Sequence, residues 1–166
     1  MKVLLVDGYN VLGAAGLLHG TSEDLDAARA RLVEEVAAYA SGEWDATVVF
    51  DAAANPGSDG TPHRIAGVTV VFSPAGRTAD TVIESLARAA AEQGDETVVV
   101  TSDAQTQWTV MRAGVSRMSS AEFVSRAEDV GGAWREHTPR WTARGRLEDR
   151  LDERTREQLF RWARGR

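Results

Sequence analysis

Short runs of β-branched and other apolar residues recur along this chain: Val3-Leu4-Leu5-Val6, Thr47-Val48-Val49-Phe50, Val68 to Phe72, and Val98-Val99-Val100. Stretches of helical character separate them, and that alternation predicts an α/β fold built on a parallel sheet. In such a sheet the carboxyl ends of the strands share one edge, and ligands bind in the crevice outside it. Acidic residues stand where that edge should be. Asp7 follows the first run, Asp51 follows the second, Asp80 opens a helix after the third, and Asp103 follows the fourth through Thr101 and Ser102. The four carboxylates are therefore expected to meet. Packed about 4 Å apart, two carboxylates repel by about 4 kcal/mol at an effective dielectric of 20, so the cluster is unfavourable unless a cation occupies it. Hard oxygen donors favour Mg²⁺ or Mn²⁺.

A chain of 166 residues, 43% of them hydrophobic, suits one domain with a single core. No cysteine occurs, which excludes disulfides and thiolate metal sites, and the scattered His19, His63 and His137 argue against a zinc site. The first apolar run ends at Asp7, and no later run approaches the roughly 20 residues of a membrane span. Neither a signal peptide nor a membrane partner is expected, and the expected location is cytoplasmic. Charge is divided unevenly: residues 1 to 133 carry a net −10 and residues 134 to 166 a net +4. A body that holds metal and an arm that meets a polyanion would show this pattern; a solvated amphipathic helix would account for the charge equally well.

Strands are expected over 3–6, 46–50, 68–72, 96–101 and 115–118. A helix over 22–39, capped by Thr21 or Ser22, carries Leu25, Ala28, Leu32, Val36 and Tyr39 at helical spacing until Gly42 stops it. Residues 52–64, with Asn55-Pro56-Gly57 and Asp59-Gly60, predict a loop long enough to be mobile or substrate-facing. Thr78 is the expected cap of a helix over 79–93, in which Asp80 and Glu84 share a face one turn apart while Ile83, Leu86 and Ala90 lie toward the core. Further helices are expected over 105–112 and from Ser119 or Ser120 onward through Phe123 and Val124. Beyond Gly131-Gly132, Leu147, Leu151, Leu159 and Trp162 form a helical stripe among charges. The expected organisation is a domain over 1–130 and a basic, helical extension over 131–166.

The opening Leu4-Leu5-Val6-Asp7-Gly8-Tyr9-Asn10 resembles the start of NYN domains, relatives of the PIN ribonucleases, and in particular of the bacterial YacP-like group of ribosome-associated mRNA endonucleases. Val49-Phe50-Asp51, Arg77-Thr78-Ala79-Asp80 with Glu84 a turn later, and Val100-Thr101-Ser102-Asp103 agree with it in order and spacing. The resemblance implies a PIN-like fold, a central, mostly parallel sheet flanked by helices with a C-terminal helical extension. It also implies cleavage of RNA, with mRNA as substrate, the ribosome as partner and Mg²⁺ or Mn²⁺ as cofactor. Asp7, Asp80 and Asp103 match the family's metal-binding acids, and Asn10 matches the polar residue beside the first. Asp51 and Glu84 are further candidate ligands, direct or through water; shaping of a loop by Asp51 and an exposed helical charge at Glu84 are the other readings. Arg77 precedes the central acid and is a candidate RNA contact.

The chemistry agrees with that implication. Phosphodiester cleavage requires an activated water and neutralisation of charge on the phosphoryl oxygens, both of which a divalent ion supplies. No histidine pair suited to metal-free acid–base cleavage is present. Gly8 is expected to let the chain turn sharply beside a ligand, and Tyr9 to pack. In the extension, Arg135, Arg140, Trp141, Arg144 and Arg146, with Trp134, interleave cations and rings as RNA binding requires. Tyr9 stands where a haloacid dehalogenase wants a second aspartate, no Gly-Lys-Ser/Thr loop marks a triphosphatase, and the acid pair and late lysine of a receiver are missing. The remaining alternative is a non-catalytic RNA- or ribosome-binding module whose acidic pocket is vestigial or holds a structural metal. Oligomeric state is not legible in the sequence.

Overall fold

A computed structural model describes residues 1–52, 55–102 and 114–131 of the chain. Ten elements follow in order: β1 (Lys2–Asp7), α1 (Gly8–Ala14), α2 (Ser22–Ala40), β2 (Asp45–Phe50), β3 (His63–Ile65), β4 (Val68–Phe72), α3 (Ala79–Glu92), β5 (Glu96–Val100), β6 (Val115–Met118) and α4 (Ser120–Gly131). Six strands form one sheet in the order β3-β4-β2-β1-β5-β6. Every neighbouring pair is parallel except β3, which runs antiparallel along the outer edge of β4. The chain lays β2 and β4 on one side of β1, then returns to lay β5 on the other. Strand order therefore reverses at β1, and in open α/β sheets the carboxyl end of such a switch point is where ligands bind.

Both faces of this sheet are covered, and the pleat divides the apolar runs between them. Leu4, Val6, Val48, Phe50, Val70, Phe72 and Val100 face one way, into a core closed by α1, α2 and α4 through Val11, Leu12, Leu32, Val36 and Phe123. Leu5, Val49, Val71 and Val99 face the other way, onto Ala79, Ile83 and Ala87 of α3. This two-sided burial explains why the strands read as unbroken apolar runs.

The ends of the helices follow from local chemistry. Thr21 caps α2: its hydroxyl accepts from the Asp24 amide while the Asp24 carboxylate accepts from the Thr21 amide, a reciprocal capping box. Ser41 in the left-handed conformation, followed by Gly42, ends the same helix. Thr78 caps α3 through the amide of Thr81, and the Ser119 hydroxyl accepts from Glu122 at the start of α4.

Two elements depart from the sequence reading. The short helix α1 begins directly at the end of β1, with no turn residue between them, and at seven residues is too brief for a helical repeat to show. Strand β3 takes in the last two residues of the stretch read as a loop and runs one residue past it; three residues at a sheet edge carry little pattern. Ser58 of that stretch is tied down, as its hydroxyl donates to the Ser73 carbonyl at 2.6 Å and the Ala75 amide donates to the Ser58 carbonyl at 2.9 Å. The helix expected over 105–112 and the extension from residue 132 onward lie outside the described residues.

Candidate functional site

At the carboxyl end of β1 the strand becomes a helix at Asp7, whose side chain caps α1. Oδ1 of Asp7 accepts the Asn10 amide at 3.2 Å, and Oδ2 accepts the Asn10 side-chain amide at 2.6 Å. Two donors from one residue thus fix the carboxylate. Gly8, the first residue of α1, owes its place to packing rather than to a sharp turn. A β-carbon there would collide with Cε1 and Cδ1 of Phe50.

The pleat that divides the core also gathers the acids. Asp7 falls in phase with Leu5, and Asp51 in phase with Val49, the residues that face α3. Asp80 stands in the first turn of α3. Asp51 is exposed at the end of β2, and its Oδ2 accepts the Ala79 amide at 3.3 Å, joining that strand end to the start of α3. Asp7 is only 5% exposed. Burial pushes its carboxyl above the ordinary carboxylate range, the two Asn10 hydrogen bonds pull it back, and the charges of Asp80 and Asp51 push it up further. Asp7, Asp51 and Asp80 therefore share one electrostatic site, with Asn10 beside them.

The other expected site residues are placed as follows. Glu84 accepts from Arg88 at 2.8 Å, with its side chain 46% exposed one turn along α3 from Asp80. Arg77 is exposed on the connection from β4 to α3. Asp103, Arg135, Arg140, Trp141, Arg144 and Arg146 lie outside the described residues. Among the described residues, no group of three acids or histidines is disposed to hold a metal ion by itself. No helix among them is long and apolar enough to cross a membrane.

A second constellation lies behind the acids, and sequence reasoning misses it. Arg29, 6% exposed, pairs with the buried Asp26 at 2.7 Å and donates to the Tyr9 hydroxyl through Nε at 3.0 Å and through Nη2. Its guanidinium also lies 5.4, 5.9 and 5.7 Å from the ring centres of Tyr9, Phe50 and Phe72. Tyr9 and Phe50 flank the acids in sequence, so α2 supports two strand ends through one side chain. The available signal was a charge on an apolar stripe, since Arg29 continues the series Leu25, Leu32 and Val36.

Comparison with known proteins agrees with this architecture. The profile of the YacP-like NYN domain matches residues 4–164. The Bacillus subtilis (strain 168) protein YacP, named as uncharacterized, is 36% identical over 134 residues, covering 78% of this chain and 77% of that protein. The crystal structure of a tryptophan-to-leucine mutant of Rae1 (YacP) from Bacillus subtilis is similar with a TM-score of 0.64 and 30% identity, over 96% of this chain and 98% of that one. The structure without that mutation gives a TM-score of 0.62 and 31% identity, over 96% and 83% of the two chains. With its PIN-like sheet and the acids at its edge, the chain belongs to the YacP-like NYN domain family.

Proposed function

We propose that this protein is a metal-dependent endoribonuclease, acting on mRNA in association with the ribosome, with its active site at the acidic edge of the sheet. Membership of a PIN-like nuclease family supports an RNA-cleaving role, and one observation carries the assignment of the site. Asp7 is buried at the strand-order reversal, under the repulsion of Asp80 and Asp51. A cation shared among these acids relieves that repulsion.

The donor set fits a hard divalent ion, because every candidate ligand is a carboxylate oxygen. Asp7 and Asp80 would hold it, with Asp103 the acid proposed to complete the set; Asp51 stands beside them, and Glu84 would act through water. When bound, Mg²⁺ or Mn²⁺ supplies charge neutralisation at the phosphoryl oxygens and a water of lowered pKa. The chain's own residues do the rest. Asn10 holds the Asp7 carboxylate in one orientation, so no reorientation is needed as charge develops. Thr78 and Asp51 fix the first turn of α3 and thereby Asp80. Arg77 meets substrate phosphate, and in the extension over 131–166 Arg135, Arg140, Arg144 and Arg146 bind RNA phosphates while Trp141 stacks on a base.

The test is to add the full chain to ribosomes translating an end-labelled mRNA and to map new internal ends. Internal cleavage supports the nuclease reading. Binding to those ribosomes without cleavage of any RNA, naked or translated, would replace it with the binding-module reading.

A further inference from the structure

We infer that Arg117 is a further phosphate-binding residue of this edge, holding the RNA strand on the side of the acids opposite Arg77. The inference rests on the nuclease reading for the path of the strand, though not for the contact itself.

Arg117 sits on the outer strand β6, in register with Val99 of β5. Its side chain is exposed and reaches the carboxyl end of the sheet, where Nη2 donates to the Thr101 carbonyl at 3.4 Å. That carbonyl immediately follows β5, and β5 is the neighbour of β1, where Asp7 lies. One neutral acceptor leaves most of the five guanidinium donors for another partner. Arg29, Arg64, Arg88 and Arg126 each pair with a carboxylate. Among the described residues Arg117 pairs with none, although residues 1 to 133 carry a net −10. A guanidinium with no carboxylate partner among the described residues, anchored at the strand end by a carbonyl, matches the two-pronged geometry of phosphate.

Its position complements that of Arg77. Arg77 follows β4 and Arg117 belongs to β6, with β2, β1 and β5 between them. Four inter-strand steps of about 4.8 Å separate β4 from β6 by about 19 Å along the edge, with the strands that end at Asp7 and just before Asp51 in the interval. An acidic centre repels the phosphates on either side of the scissile bond, so flanking cations are what such a centre needs to retain a polyanion. The RNA strand accordingly crosses the strand ends from the Arg77 side to the Arg117 side.

Binding of a single-stranded oligoribonucleotide to the full chain, measured by fluorescence anisotropy against salt in EDTA, tests the contact without cleavage. Arg117→Gln should weaken association about 3- to 10-fold and lower the slope of log K against log salt by about 0.7, the value of one single-strand phosphate contact. Arg117→Lys should keep most of the slope, and Arg64→Gln, at the far edge of the sheet, should leave it unchanged. In the unaltered chain, bound oligonucleotide should protect Arg117 from phenylglyoxal, a readout that requires no variant. An unchanged slope in Arg117→Gln, an equal loss in Arg64→Gln, or no protection of Arg117 would each overturn the inference. Failure of the unaltered chain to cleave RNA would sink the nuclease reading and leave these outcomes to judge Arg117 alone.

Discussion

A β-carbon added at Gly8 would meet the Phe50 ring, a rigid side chain fully buried in the core. Gly8→Ala therefore forces the end of β1 and the start of α1 apart. The expected cost is about 1–3 kcal/mol, read as a lower urea midpoint at unchanged slope. Glu35 makes a separate residue-scale prediction. It is 4% exposed on α2, and its Oε2 accepts no hydrogen bond from the described residues. Burial raises its pKa above the ordinary 4.5, Arg31 opposes the rise, and Glu34 and Glu128 add to it. The folded state thus holds a proton that the unfolded chain releases, so stability falls as pH climbs from 4.5 through the folded value, and the penalty is complete above it. Glu35→Gln should stabilise the protein at pH 7 by about 1 kcal/mol, with the gain disappearing below the ordinary glutamate pKa. Unfolding curves at pH 7 and pH 4 check both the sign and the window.

At the scale of elements, α2 is joined to the strand ends by Arg29, which meets Asp26, the Tyr9 hydroxyl and three rings. Removing one member of a buried pair costs about 3–5 kcal/mol. Arg29→Met should lose about 3 kcal/mol in equilibrium unfolding, and Arg29→Lys should recover only part of that, because an ammonium cannot bridge the same set. The sequence displayed those elements whose period is set by burial: the central strands, apolar on both faces, and α2 with its capping box. It did not display α1, where the strand's last residue doubles as the helix cap, nor β3, whose three edge residues carry no run. The convergence of Asp7, Asp51 and Asp80 was legible for a different reason. Parallel strands share a carboxyl edge, and pleat phase turns the first two acids toward α3. What holds that edge from behind was not legible, because Arg29 and Asp26 read as ordinary helical charges until Tyr9 and Phe50 are placed against them.

For the whole molecule, the repulsion that burdens the acidic edge should be relieved by an ion that binds only the folded chain. Mg²⁺ or Mn²⁺ at about a hundred times its dissociation constant should add about 2.7 kcal/mol of stability, and Asp103→Asn should blunt the rise in Tm; equal stabilisation of both proteins would locate the ion elsewhere. The acids meeting at the end of β1 are proposed to perform the chemistry, and Asp80 isolates their contribution. Asp80→Asn keeps the size of the side chain and removes its charge. The decisive measurement is the rate of internal mRNA cleavage on translating ribosomes with a divalent ion present, compared between wild type and Asp80→Asn at matched Tm and RNA affinity. Because metal activation needs ligand charge and docking does not, cleavage should fall at least about 100-fold while fold and association stay intact. Equal cleavage by the two proteins would place the chemistry away from these acids.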